Sequence, residues 1–205
     1  MKAVKFLIIY RLTRGRFVVK TFSVKDLMVP ISEYATVTEE ASLFEAVLEL
    51  EKAQEEFDHT RYRHRAILVM DKRGKVVGKV TQLDALKALE PKYQDLLHRD
   101  GLARFGFTTK FMKSMLKDYQ IFDSPMMDIC RKAASYNVKT FMRTLTEGEF
   151  LPSDTSLDEA IHQLVVGHHQ SLLITEGGKI IGILRLTDVF TAVFHEMKKC
   201  ELDGA

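Results

Sequence analysis

Cysteine is nearly missing from this chain. Its two cysteines, Cys130 and Cys200, are too few for a disulfide framework, and their spacing fits no metal-binding pattern. That favours a reducing, cytoplasmic setting. An excess of charge of one sign is also missing, and a formal net charge of +2 does not suggest a dedicated nucleic-acid binder. Long apolar runs are missing as well. No stretch approaches the roughly 18 residues of a membrane span. Phe6 to Tyr10 is too short for a signal-peptide core, which needs about 7–15 apolar residues. No Gly-x-x-x-x-Gly-Lys-Ser/Thr phosphate loop occurs, which argues against ATP hydrolysis. No nucleophile-base-acid arrangement stands out, so the chain reads as a non-enzyme. What is present is an ordinary globular composition, 205 residues with 46% apolar and 28% charged, enough for one sizeable domain or two small ones.

The first segments, 4–10 and 16–22, are rich in β-branched and aromatic residues around a Thr13-Arg-Gly15 turn, so a hairpin is expected. Arg11, Arg14, Arg16 and Lys20 cluster there, as a solvated strand edge or as a patch for phosphate or an acidic partner. A short strand is expected at Tyr34–Thr38. Ser42-Leu-Phe-Glu45 is a capping box, in which each side chain satisfies a backbone N–H of the first turn. Leu43, Ala46, Val47, Leu50, Ala53 and Phe57 then recur at helical spacing. Ala66–Met70 suits a buried strand and Asp71–Gly74 a hairpin turn. Lys75–Val80 is the return strand, and Thr81–Leu89 the next helix.

The same order recurs. Moved on by 114 positions, Met28 meets Met142, Val37 meets Leu151, Ser42 meets Ser156, Glu45 meets Glu159 and Ala46 meets Ala160. Ser156-Leu-Asp-Glu159 is a second capping box, followed by a stripe of Leu157, Ala160, Ile161, Leu164 and Val165. Ser171–Ile174 matches Ala66–Val69. Glu176–Gly178 is the second hairpin turn, Lys179–Leu184 the return strand and Leu186–Met197 the last helix. Gly78-Lys-Val-Thr-Gln-Leu-Asp84 reappears 104 positions later as Gly182-Ile-Leu-Arg-Leu-Thr-Asp188, with Arg185 where Thr81 stood. This is an internal repeat of about 60 residues.

Residues 90–137 separate the copies. Glu90-Pro91 breaks a helix, Asp100-Gly101 is a turn, and Thr108 is placed to cap a helix with an apolar face of Phe111, Met112, Met115, Leu116 and Tyr119. Ser124-Pro125 is a good helix start, with Met126, Ile129, Cys130 and Ala133 on one side. This insert packs on its own repeat pair, or serves as a lid over a ligand, or embraces a second subunit. The expected organisation is an N-terminal extension over 1–22, repeats over 23–89 and 138–200, the insert over 90–137, and a tail over 201–205.

Each copy resembles a cystathionine-β-synthase (CBS) domain. The first carries Val24-Lys-Asp-Leu-Met, Ala41-Ser-Leu-Phe-Glu-Ala, Arg65-Ala-Ile-Leu-Val-Met-Asp and Gly74 to Asp84. The second carries Val138-Lys-Thr-Phe-Met, Thr155-Ser-Leu-Asp-Glu-Ala, Gln170-Ser-Leu-Leu-Ile-Thr and Lys179 to Asp188. The family often has Pro in the buried strand, where this chain has Leu68 and Leu173.

The resemblance implies an α+β fold: two βαββα repeats whose three-stranded sheets pack face to face about a pseudo-twofold axis, the tandem pair called a Bateman module. It implies association as a homodimer. It also implies regulation by an adenine nucleotide (AMP, ADP or ATP) or a related adenosyl ligand, with Mg only as a companion of ATP. In the family's turn, Asp accepts from the ribose hydroxyls while Ser or Thr meets phosphate. That places Thr81 and Asp84 at one site and Arg185 and Asp188 at the other. His64, Arg65 and Ala66, with His169, Gln170 and Ser171, would flank the base. So would Ala35 and Val37 in one copy and Phe150 and Leu151 in the other.

Each assignment has a structural counterpart. An ionised Asp is acceptor-only and suits a diol, but the same Asp can simply cap its helix. Arg185 can pair with phosphate, or fill the cleft and close it. His162, His168 and His169 lie close in sequence, but adjacent strand residues point to opposite faces, and no metal site is expected. The competing class is a ligand-free dimerisation scaffold with an unidentified regulated partner.

Overall fold

The computed structural model describes residues 23–56, 63–93, 96 and 108–202. The expected N-terminal hairpin, Phe57 and the Asp100-Gly101 turn lie outside them. Among the described residues the chain forms two four-stranded sheets with helices on their outer faces. A lead-in of α1 (Val24–Leu27) and β1 (Val29–Pro30) precedes β2 (Thr36–Thr38), α2 (Leu43–Glu56), β3 (Ala66–Met70), β4 (Val76–Thr81) and α3 (Gln82–Ala88). The insert supplies α4 (Thr109–Asp118) and α5 (Met126–Ala134). The second copy follows: β5 (Arg143–Thr144), β6 (Phe150–Pro152), α6 (Leu157–Val166), β7 (Ser171–Glu176), β8 (Lys179–Arg185) and α7 (Leu186–Leu202). No helix among the described residues is long and apolar enough to cross a membrane.

The hairpins form for local reasons. Asp71 Oδ1 accepts from the N–H groups of Arg73 and Lys75, both at 2.8 Å, and Gly74 takes a positive φ. In the second copy Gly177 and Gly178 both take positive φ, as a two-residue turn between β7 and β8 requires. In each copy the first strand pairs parallel to the second through a helical crossover, and the second pairs antiparallel to the third.

The expectation of three strands per sheet is corrected to four, because the copies exchange their lead-in arms. β1 precedes the first copy yet pairs with β8, with Val29 opposite Ile183. β5 precedes the second copy yet pairs with β4, with Arg143 opposite Lys79. Val24 and Leu27 pack in the second copy's helix-side core with Leu151, Ala160, Leu172 and Leu184. Val138 and Phe141 pack in the first copy's, with Val37, Ala46, Ile67 and Val80. The two glycines of the repeated turn serve this crossing. A Cβ on Gly78 would lie 2.7 Å from Met142 Sδ, and one on Gly182 would lie 2.7 Å from Met28 Sδ and from the Val29 carbonyl.

Leu68 and Leu173, fully buried, centre the layer between the sheets, with Val29, Tyr34, Val76 and Ile183 around them. Burying each leucine contributes about 1.5–3 kcal/mol.

Several local expectations shift. The first strand begins at Thr36 rather than Tyr34, and the last helix runs on to Leu202. Ser42 and Glu45 form their capping box, with Ser42 N donating to Glu45 Oε2 at 2.7 Å and Glu45 N to Ser42 Oγ at 3.2 Å. Those bonds hold the Glu45 carboxyl below its usual range. Ser156 sits at its helix N-cap but makes no side-chain cap bond, so the second box does not close. Val47 and Val165 fall at the edges of their stripes and are exposed. Thr108 caps α4 as expected, accepting from Phe111 N at 3.2 Å. The α5 helix starts one residue later than expected, with Pro125 as N-cap. It packs Ala133 into the first core, whereas no residue of α4 is buried. The insert is pinned at Glu90, whose Oε2 accepts from Phe122 N at 3.0 Å, and at Lys92, whose ammonium donates to the Gln120 carbonyl at 2.6 Å.

Candidate functional site

The two strand-to-helix turns face the layer between the sheets. Strand alternation places Lys79 and Thr81 on that face of β4, and Ile183 and Arg185 on that face of β8. Backbone bonds from Gln82 N to the Arg65 carbonyl and from Leu186 N to the Gln170 carbonyl anchor both turns to the entering strands.

At the first turn Thr81 ends β4 and caps α3. Its N–H and hydroxyl donate to Asp84 Oδ2 at 3.0 and 2.6 Å, and Asp84 N donates back to Thr81 Oγ1 at 3.2 Å. Asp84 is only 4% exposed. Two cations flank it. Arg143 Nε, delivered by the exchanged arm, lies 3.4 Å from Oδ2, and Lys87 Nζ lies 3.9 Å from Oδ1. Both reach in from solvent, and the Arg143 side chain is 54% exposed. Just inside, Lys79 makes a buried ion pair with Glu149. Burial acts to raise the Glu149 carboxyl, but Lys79, Thr146 N and the nearby Arg143 hold it below its ordinary value.

The second turn is built differently. Arg185, 4% exposed, folds onto Asp188 in a fork, with Nε to Oδ2 and Nη2 to Oδ1, both at 2.6 Å. Its Nη1 lies 3.3 Å from Nδ1 of the fully buried His64, which belongs to the other copy. A guanidinium has no acceptor, so this ring nitrogen must accept and carries no proton. Tyr34 sets its ring edge-on to His64 at 4.4 Å. Burial, with Asp188 adding to it, pushes the Tyr34 phenol well up, against the opposing effect of Arg185.

The structure therefore gathers Thr81 and Asp84 in one half-site, and Arg185, Asp188 and His64 in the other. The remaining residues of the expected set are spread. Ala35 and Val37 point into the first helix-side core and Leu151 into the second, whereas Phe150 packs toward the inter-sheet layer. Ala66 and Ser171 are buried in strands, Arg65 and Gln170 are exposed, and His169 is half-buried with Nε2 3.5 Å from where a Cβ on Gly148 would stand. Sequence reasoning missed Lys79, Arg143, Glu149 and Tyr34. Lys79 left a signal, as the one charge inside an apolar strand. Arg143 left none, because its place depends on the arm exchange.

A hollow of about 800 Å³ runs along α6, lined by Leu151, Thr155, His162, Gln163 and His169. Neither Thr81 nor Asp84 lines it, and it is a broad surface groove rather than a site of converging polar groups. No cluster among the described residues is arranged to hold a metal ion.

Compared with protein families, the chain matches the CBS domain twice, over residues 24–91 and 138–195. The comparison with curated proteins gives no match. Solved structures similar to it include CBSX2 in complex with AMP, 21% identical, covering 85% of this chain and 97% of that one with a TM-score of 0.52. CBSX2 from Arabidopsis thaliana is 19% identical, with 87% and 99% coverage and a TM-score of 0.53. A CBS domain-containing protein from Bacillus anthracis is 18% identical, with 85% and 94% coverage and a TM-score of 0.55. At these identities the likeness speaks to fold.

Proposed function

Because the chain belongs to the CBS-domain family and carries the domain as a tandem pair, we propose that it is a regulatory, non-catalytic protein that binds an adenine nucleotide at the Thr81/Asp84 half-site. The observation that carries this reading is the buried Asp84 carboxylate, with one oxygen engaged in the cap and two solvent-reaching cations beside it. A carboxylate held in this way can accept from a ribose diol. Arg143 and Lys87 already reach solvent and can turn outward to meet phosphate while the diol takes their place at the carboxylate, and a guanidinium matches phosphate geometry well. The AMP bound to CBSX2 supports a ligand of this class. The nucleotide acts by favouring one of two shapes or assemblies, which it can do only through different affinity for the two.

Calorimetric titration against AMP, ADP, ATP and S-adenosylmethionine tests the reading. A saturable heat with at least one adenine nucleotide is expected, and its loss in Asp84→Ala. No heat from any of them at millimolar concentration would overturn it. A change in hydrogen exchange across α4 and α5 on binding would identify the insert as the responding element.

One observation favours a second reading, a ligand-free dimerisation scaffold. Leu83 and Leu86 on α3, and Phe190, Phe194 and Met197 on α7, are exposed apolar side chains on the outer helices. A homodimer whose mass and shape do not respond to any nucleotide, measured by sedimentation, would support it.

A further inference from the structure

The two half-sites carry the same aspartate with different neighbours, and the difference assigns a role to Arg185. We propose that Arg185 is a built-in occupant of the second half-site, so that each chain takes one nucleotide, at Thr81/Asp84, and none at Asp188. The proposal rests on the nucleotide reading above.

At Asp188 both carboxylate oxygens receive a guanidinium nitrogen at 2.6 Å, the two-pronged geometry that makes such pairs strong. These are the atoms a ribose diol would need. The pair is out of water, with side-chain exposures of 5% and 9%. A ligand would have to displace a cation that then has no solvent to enter. The third guanidinium nitrogen is engaged by His64, and Tyr34 closes over that ring, so the cover is assembled from both copies.

Asp84 is just as buried, with a side-chain exposure of 6%, but no buried guanidinium forks onto it. The position of Arg185 is filled there by Thr81, and the sequence position matching Tyr34 is Gly148, which has no side chain. Of the two cations beside Asp84, the nearer is the half-exposed Arg143, 3.4 Å away through Nε rather than in a fork. It can swing into solvent, whereas Arg185 cannot.

The test is binding stoichiometry in the whole chain, by calorimetry with AMP and with ATP. Arg185→Thr, which copies the first repeat, is expected to raise the capacity by one equivalent, and to restore one equivalent to Asp84→Ala. Arg185→Gln is a second variant that shortens the plug while keeping a hydrogen-bonding group. Circular dichroism and a single thermal transition confirm that each is folded. Asp84→Ala with Arg185 intact is expected to bind nothing, and an equivalent that survives there but is lost in Asp188→Ala would overturn the proposal. So would a wild type that binds two per chain, or folded Arg185 variants that gain nothing. A wild type that binds none while Arg185→Thr gains one would uphold the plug and sink the Thr81/Asp84 reading, so the two failures are distinguishable.

Discussion

At Lys79 the first repeat buries an ammonium in the layer between the sheets, paired to Glu149. At Ile183, 104 positions on, the second repeat puts an alkyl side chain in the same layer, and Ala35 stands where Glu149 would be matched. The turns diverge the other way. The first has a small hydroxyl and leaves its cations near solvent, while the second buries an arginine against its aspartate. Each half thus carries one buried ion pair, the first beside its turn and the second within it. The two copies share backbone, register and arm crossing and differ in where they place charge. On the proposed reading, that placement decides whether a half-site is open.

The largest expected effect separates the two aspartates. Asp188→Ala leaves the Arg185 guanidinium buried without its carboxylate and should cost about 3–5 kcal/mol of stability. Asp84→Ala opens the capping box that Thr81 heads, beside cations that already reach solvent, and should cost about 0.3–1.5 kcal/mol. Denaturant midpoints of the two variants, measured side by side, check the difference, and equal losses would erase the contrast.

The Lys79–Glu149 pair gives the next test. Lys79→Ile or Glu149→Ala alone should cost about 3–5 kcal/mol, whereas the double variant, which makes the first half like the second, should recover most of it. A double variant as unstable as the sum of the singles would mean that an isoleucine and an alanine cannot stand in for the pair.

The capping boxes offer a smaller contrast. Ser42→Ala should cost about 0.5–2 kcal/mol, while Ser156→Ala, which removes no side-chain cap bond, should be close to neutral in the same assay.

The smallest effect is in acid. Glu149 is held below its ordinary value, so the folded state binds a proton there less readily than the unfolded chain. Its contribution is complete above the ordinary value of 4.5 and is lost as pH falls through the depressed one. The urea midpoint of Glu149→Gln should therefore fall less steeply below that pH than the wild type's.

Much of this was legible in the chain. The 114-position offset, the Ser42 box, the hairpin glycines and the Gly…Asp frame located two copies of one unit. The arm exchange was not legible, because β1 and β5 are two residues each and too short to carry a period. Without it, Arg143 and Glu149 had no reason to meet Asp84 and Lys79. Arg185 left two readings open, and only the 2.6 Å fork to Asp188 favours filling of the cleft over waiting for phosphate. Val47 and Val165 looked like core because helical spacing cannot say where a stripe ends.

The exchanged arms also set an order in time. Synthesis proceeds from the N-terminus, and domains generally fold as units. The Val29–Pro30 strand is made among the first but has no sheet to join until β8 exists, near the end. The first sheet, in turn, waits with an open edge at β4 and a buried lysine without its partner until Arg143, Thr144 and Glu149 emerge. The contacts that close the two sheets join residues far apart in sequence, and such closures are slow. Neither sheet can therefore be completed before both repeats have been made.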